Sequence, residues 1–222
     1  MNDVQTANTF FLVLTIAAWI GIFVLAPVAL FTFGSRRLSA IADGLLGWVG
    51  PQARALAFVV AAMTTAGSLY YSQVAHFIPC ELCWYQRICM YPLTAVLLVG
   101  LVRRDSAVRW YALPLIAVGA PLSLYHWLVE RVPAFVATSS CSVVAPCTTP
   151  YFQKIGFVTL AFMALSAFLL IGTLLLMDRA YELRAFEDGP VEASPVEHDG
   201  FEGAGPDETQ SANAASREME HV

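Results

Sequence analysis

Five long apolar stretches set the main limit on how this chain can fold. They occupy residues 9–33, 55–75, 84–102, 110–129 and 155–177. A helix needs about 20 apolar residues to cross a hydrocarbon core of about 30 Å, and each stretch meets or nearly meets that length. Of the 222 residues, 58% are hydrophobic and 13% are charged, whereas soluble domains have about 45–50% and about 25%. The sequence therefore predicts an all-α membrane protein.

The distribution of arginines predicts the orientation of these spans, because loops on the cytoplasmic side carry an excess of Lys and Arg. The loops after the first and third spans and the segment after the fifth contain Arg36, Arg37, Arg54, Arg103, Arg104, Arg109, Arg179 and Arg184. Apart from Arg87 at a helix edge, the other two loops contain only Arg131 and Lys154. We therefore predict a multi-pass protein of the cell (inner) membrane with an outside N-terminus and a cytoplasmic C-terminus. Residues 76–83 and 130–154 are then the extracytoplasmic loops.

Composition divides the chain into three regions. We predict an additional N-terminal transmembrane helix and a cytoplasmic loop over residues 1–54, and a four-helix transmembrane bundle over residues 55–178. Within the first region, the apolar spacing of residues 35–50 fits either an amphipathic segment along the inner surface or a plain loop. Residues 185–222 contain ten Asp or Glu and one Arg, with few large apolar residues. We therefore predict an acidic, disordered cytoplasmic tail over residues 179–222.

Four cysteines occur as two pairs in the predicted outer loops. Cys80 and Cys83 form a Cys-x-x-Cys motif, a spacing at which one thiol pKa is commonly lowered for exchange chemistry. Cys141 and Cys147 lie in the second loop, where an oxidising compartment allows disulfides to persist. The fifth cysteine, Cys89, lies in an apolar run and is predicted to be a small buried residue.

Three polar residues are predicted at the same depth as the Cys-x-x-Cys motif. Cys83 opens the third span and Arg87 follows one turn later, so the helix N-terminus and the guanidinium both favour a thiolate at Cys83. The alternative is that Arg87 has no role at the thiols and only anchors the helix at the membrane interface. His126 lies near the outer end of the fourth span. It is either a residue of the functional site or a histidine that packs among aromatic residues at the membrane interface. Gln86 either donates a hydrogen bond to the ligand of Arg87 or is an ordinary polar residue.

The residues 80–87, Cys-Glu-Leu-Cys-Trp-Tyr-Gln-Arg, resemble the first-loop motif of the disulfide bond formation protein B (DsbB) family. Residues 122–128 resemble the helix of that family that bears a histidine. The short second cysteine pair and the following Pro150-Tyr151-Phe152 are similar to the BdbC-like branch. The resemblance covers residues 56–177. The first span, residues 9–33, lies outside it.

The resemblance implies a membrane thiol:quinone oxidoreductase that supports disulfide bond formation and protein folding by electron transport to the quinone pool. Cys80 and Cys83 are then the quinone-coupled pair, and Arg87 and His126 flank the head group of ubiquinone or menaquinone. Cys141 and Cys147 accept electrons from an extracytoplasmic thioredoxin-fold (DsbA-like) oxidase. No metal site and no nucleic acid partner are predicted, and lipid surrounds the spans.

Two other interpretations remain open at this point. A vitamin K epoxide reductase-like enzyme also combines Cys-x-x-Cys with loop cysteines in a helical bundle, although there the motif follows the loop pair. A non-enzymatic protein would use the four loop cysteines as disulfide staples or as zinc ligands, which must converge at about 2.3 Å from the metal.

Overall fold

A computed structural model describes residues 2–34, 40–132, 147–148 and 156–187 of the chain. Six α-helices run through these residues: α1 (Asn2–Gly34), α2 (Ala40–Val49), α3 (Ala53–Leu69), α4 (Glu81–Arg103), α5 (Val108–Arg131) and α6 (Leu160–Glu187). A 3₁₀ turn, Gly50–Gln52, joins α2 to α3, and a π-helical turn, Tyr70–Val74, extends α3. π-Helical turns are often found at functional sites, and this one precedes the Cys-x-x-Cys loop.

Five helical segments in the described part of the chain are long and apolar enough to cross a membrane. They are Val4–Thr32, Ala40–Val74, Glu81–Arg103, Val108–Arg131 and Leu160–Phe186. The prediction of an all-α membrane protein, a four-helix bundle with an additional N-terminal helix, is confirmed. The amphipathic segment is helical over Ala40–Val49, with Leu46 and Val49 buried.

The last helix differs from the prediction at both ends. It begins at Leu160 rather than at residue 155, because Gly156 has a left-handed backbone (φ 76°) and Thr159 accepts a hydrogen bond from the Phe162 N–H at 3.3 Å. It then continues to Glu187, so residues 179–187 of the predicted tail are helical. Residues 188–222, which carry the rest of the predicted acidic tail, lie outside the described residues.

Helix α6 is the central element of the bundle and packs against α1, α3 and α5, while α4 packs against α3 and α5. Phe168, Ile171 and Leu175 of α6 are 0%, 0% and 2% exposed. Gly119 allows α5 to approach α6 closely, since a Cβ atom there would overlap the ring of Phe168. Large side chains on α6 therefore fill spaces left by small residues on its neighbours.

One end of the bundle contains an ion-pair cluster of Arg54, Arg109, Asp178 and Glu182. Arg54 Nε donates a hydrogen bond to Asp178 Oδ1 at 2.8 Å, and Arg109 Nη1 donates one to Glu182 Oε2 at 2.6 Å. Asp178 is 2% exposed. The cluster links the first turns of α3 and α5 to α6, so it fixes how these three helices meet.

Candidate redox site

The Cys-x-x-Cys motif forms the N-terminal cap of α4. Cys80 has an extended backbone, and its Sγ accepts a hydrogen bond from the Cys83 N–H at 3.3 Å. This sulfur therefore occupies the place that a Ser or Asp oxygen usually takes at a helix N-terminus. The two Sγ atoms lie 2.7 Å apart and both thiols are free. Helix geometry thus holds the two sulfurs within exchange distance.

His126 on α5 faces Cys80. Its Nε2 lies 3.6 Å from Cys80 Sγ, and the side-chain amide nitrogen of Gln86 lies 3.1 Å from its Nδ1. Because an amide nitrogen donates, Nδ1 accepts this bond and the ring proton is on Nε2, directed at the sulfur. Gln86 and His126 are 8% and 3% exposed, so these contacts are shielded from solvent.

These contacts lower the pKa of the Cys80 thiol from 9.0 to about 4. The hydrogen bond from the Cys83 side chain is the largest cause, and His126 contributes a further hydrogen bond, while burial opposes both. The sequence pattern favours a thiolate at Cys83, whereas the contacts in the structure favour one at Cys80. Since α4 begins at Glu81, the residue that receives the N-terminal hydrogen bond is Cys80.

Arg87 lies one turn beyond Cys83 and borders a cavity of about 440 Å³ that is lined by α1, α3, α4 and α6. Its Nη2 donates to the Ser68 carbonyl oxygen at 3.1 Å, and its guanidinium lies 5.5 Å from the centre of the Trp84 ring. No carboxylate within the described residues forms an ion pair with it. The cavity therefore has a cation at one end whose charge is available to a ligand.

The predicted cofactor-binding residues are divided between two places. Cys83, Gln86 and Arg87 line the cavity, and most of the remaining lining is apolar. His126 is not among the lining residues, and its contacts are with Gln86, Cys80 and Glu130. The residues fit a quinone, since a ring oxygen needs a donor such as Arg87 and the rest of the molecule needs apolar surroundings.

Cys147 reaches the same end of the bundle. It is 2% exposed, is disulfide-bonded, and belongs to a buried cluster with Cys80, Leu82 and Val129. Cys83 packs against this cluster from the cavity side. Cys141 lies outside the described residues, so its pairing with Cys147 stays a prediction.

His76 lies in the loop before the Cys-x-x-Cys motif and has a left-handed backbone (φ 54°).

Sequence reasoning missed Glu130. It was assigned to the outer loop, but it lies in the last turn of α5, four residues after His126 and on the same face. Its Oε1 is 3.8 Å from His126 Nε2, its side chain is 5% exposed, and Thr159 forms a side-chain hydrogen bond to the carboxylate. Its Oε2 has no hydrogen-bond partner among the described residues. The i, i+4 spacing of His126 and Glu130 could have indicated this contact. It carried no weight in the sequence because the predicted span ended at residue 129.

Cys80, Cys83 and His126 also form a group that could hold a metal ion, with ligand atoms within 4.8 Å of one another. In a tetrahedral zinc site with bonds of about 2.3 Å, two thiolates lie about 3.8 Å apart. The sulfur separation of 2.7 Å is shorter than this edge. It is closer to the length of about 2.05 Å of a disulfide bond, so the arrangement fits a pair that forms a disulfide better than a zinc site.

Comparison with known proteins identifies the family. Residues 51–177, more than half of the chain, match the family described as disulfide bond formation protein DsbB. The chain belongs to the DsbB family. This membership confirms the predicted resemblance and removes the support for a vitamin K epoxide reductase-like enzyme. Helices α1 and α2 precede the DsbB-matched region.

Relatives within this family carry the same kind of name. Disulfide bond formation protein C of Bacillus subtilis is 46% identical over 114 residues, 51% of this chain and 83% of the relative. A probable disulfide formation protein of Coxiella burnetii is 40% identical over 122 residues, 54% of this chain and 83% of the relative. No solved structure shows a significant match. The protein is thus a membrane member of a disulfide-forming family, which indicates thiol–disulfide oxidoreductase activity.

Proposed function

We propose that this protein is a thiol:quinone oxidoreductase that reoxidises an extracytoplasmic thioredoxin-fold disulfide oxidase. One observation carries the proposal: the Cys-x-x-Cys motif lies between a second cysteine and an apolar cavity. Cys80 shares a buried cluster with Cys147, whereas Cys83 lines the cavity together with Arg87. A pair of sulfurs in this position connects a disulfide on one side to a hydrophobic acceptor on the other.

The exchange steps conserve atoms and electrons. A dithiol of the partner reduces the proposed Cys141–Cys147 disulfide through a mixed disulfide, which leaves the partner oxidised and two thiols on the loop. These thiols then reduce a Cys80–Cys83 disulfide in the same way. A bound quinone supplies the final acceptor of two electrons and two protons. Cys80, Cys83 and the loop pair end in their original oxidation states.

Side chains at the site have separate roles in this scheme. The Cys83 N–H and His126 stabilise a Cys80 thiolate, and stabilising the reduced form makes a disulfide a stronger oxidant. His126 holds a proton on Nε2 beside that sulfur, and Glu130 lies 3.8 Å from the same nitrogen. Gln86 orients the imidazole from its other side by donating to Nδ1. Arg87 provides a positive charge where negative charge develops on a ring oxygen.

The distribution of arginines supports an orientation in which the Cys-x-x-Cys end faces the extracytoplasmic side. The eight arginines of the predicted cytoplasmic loops include Arg54 and Arg109, which lie in the ion-pair cluster at the other end of the bundle. The redox cysteines then lie in the compartment where disulfides persist and where a soluble oxidase is available as partner.

The test uses purified protein, a reduced DsbA-like partner, and decylubiquinone or a menaquinone analogue as acceptor. Cys80→Ser, Cys83→Ser and Cys147→Ser should each abolish quinone-dependent oxidation of the partner. Cys89→Ser is the matched control, because Cys89 is also a buried cysteine of α4 but belongs to the main apolar core. Wild-type turnover in Cys83→Ser, or no quinone reduction by the unsubstituted protein, would overturn the proposal.

A zinc-binding protein is the second candidate, because Cys80, Cys83 and His126 converge. Elemental analysis of protein purified with and without added zinc decides between the two. One tightly held zinc per chain that blocks thiol titration of Cys80 and Cys83 would favour the metal site. Freely titrating thiols in zinc-saturated protein would support the redox pair.

A further inference from the structure

The additional helix α1 forms one wall of the cavity beside Cys83 and Arg87. Lining residues run from Phe11 to Leu25 on α1, and from Leu56 on α3 to Tyr71 in the π-helical turn that extends it. At about 1.5 Å per residue, the lining extends over roughly 20 Å along these helices. The cavity is therefore long compared with its volume of about 440 Å³, and α1 borders it over that whole length.

Specific contacts hold α1 in this position. Near one end, the Tyr71 hydroxyl donates to Asn8 Oδ1 at 2.7 Å, and the Phe11 ring lies against Gly67, where a Cβ atom would overlap it. Near the middle, Trp19 Nε1 donates to Ser166 Oγ at 2.9 Å. Contacts to both α3 and α6 mean that α1 spans the gap between them rather than lying on one helix.

Polarity changes along the cavity. Cys83, Gln86, Arg87 and Ser68 lie at the end near the N-terminus of α4. Leu25, Leu56 and Leu174 lie at the opposite end, where the lining is apolar. A molecule with a polar ring and a long hydrocarbon tail matches this gradient, with the ring beside Arg87 and the tail along α1.

We propose that α1 is a specificity element of this protein, which encloses the apolar tail of the quinone between α3 and α6. The inference rests on the proposed function and extends it, because α1 lies outside the DsbB-matched residues 51–177. The small residues Ala17, Ala18 and Gly21 leave the space that the tail fills. Larger side chains at these positions should exclude a tail while leaving the ring site near Arg87 open.

The experiment compares acceptors that share a ring and differ only in the tail. One pair is decylubiquinone and the same ring without its tail, and the other is phylloquinone and menadione. The pair used is the one whose ring the unsubstituted protein reduces. In Ala17→Phe and Ala18→Phe, the ratio of the KM for the tailed quinone to that for the tail-less one should rise about tenfold. Ile20→Phe is the matched control on α1, since Ile20 is 61% exposed and does not line the cavity.

A second measurement does not depend on turnover. In Ala17→Cys, the tailed quinone should slow alkylation of the new thiol by N-ethylmaleimide at least threefold, and the tail-less ring should not. Ile20→Cys should react at the same rate with either. An unchanged KM ratio together with no protection would overturn the role of α1 while leaving quinone reduction intact. Equal protection by a phospholipid without quinone would instead assign the cavity to a lipid chain.

Discussion

The two ends of the bundle both bury ionisable groups, but they satisfy them differently. In the ion-pair cluster, Arg54 and Asp178 meet at 2.8 Å and Arg109 and Glu182 at 2.6 Å. At the thiol end, defined by Cys80, Cys83, His126 and Glu130, the contacts of His126 Nε2 are 3.6 Å and 3.8 Å. Opposite charges in close contact stabilise both charged forms, whereas the longer contacts around His126 hold their groups less tightly. The first end holds three helices together, and the second places two thiols, an imidazole and a carboxylate close enough for the exchange chemistry proposed above.

The largest expected effect concerns the ion-pair cluster. Asp178→Ala removes the most buried partner of Arg54 and leaves Glu182 to pair with both arginines, which should lower the free energy of unfolding by about 3 kcal/mol. Thermal unfolding in detergent measures this loss. Turnover per folded molecule should stay near that of the unsubstituted protein. An unchanged free energy of unfolding together with slow turnover would contradict the separate roles of the two ends.

Substitutions at Arg87 test whether this cation, which has no carboxylate partner among the described residues, binds the quinone. Arg87→Ala should raise the KM for quinone about 30-fold, equivalent to about 2 kcal/mol of lost interaction. Arg87→Lys should give an intermediate value, because lysine keeps the charge but lacks the planar fork. Arg109→Ala is the control, and we expect lower stability without a change in KM. Equal KM values in all three variants would make Arg87 an interfacial anchor.

The sequence predicted the five spans and the family because hydropathy and the Cys-x-x-Cys string are local signals. No local sequence signal specifies which cysteine carries the thiolate. Its position depends on whether α4 begins at Glu81 or Cys83, and both are compatible with the apolar pattern. Glu130 was missed for a similar reason, since one further residue of helix turns a loop carboxylate into a neighbour of His126. The cavity wall formed by α1 depends on helix packing, which no motif in residues 9–33 specifies.

Glu130 sharpens the comparison at the thiol end. Glu130→Gln keeps the shape of the side chain but removes the negative charge that lies 3.8 Å from His126 Nε2. Turnover should fall about tenfold, about 1.4 kcal/mol, and the pH profile should shift. The free energy of unfolding should hardly change. Glu182→Gln is the matched control in the other cluster and should show the reverse result, lower stability with an unaltered pH profile.

The smallest expected effect is a pKa shift at Cys80. Because its pKa is lowered from 9.0 to about 4, the thiolate stabilises the reduced folded protein fully above pH 9, and this stabilisation is lost as the pH falls towards 4. His126→Ala removes one cause and should raise the pKa by about one unit. Ultraviolet absorbance of the thiolate during an acid titration gives both values. An unchanged midpoint would mean that His126 does not act on this sulfur.

The burial of two sulfurs also determines which thiols can take part. Cys80 is 4% exposed and Cys147 is 2% exposed, and exchange requires that an attacking thiolate reach the sulfur itself. A small thiol dissolved in the surrounding medium meets little exposed surface at either residue. Burial therefore favours exchange at these two sulfurs with thiols that the fold itself places beside them, and Cys83, with its Sγ 2.7 Å from Cys80 Sγ, is one such thiol.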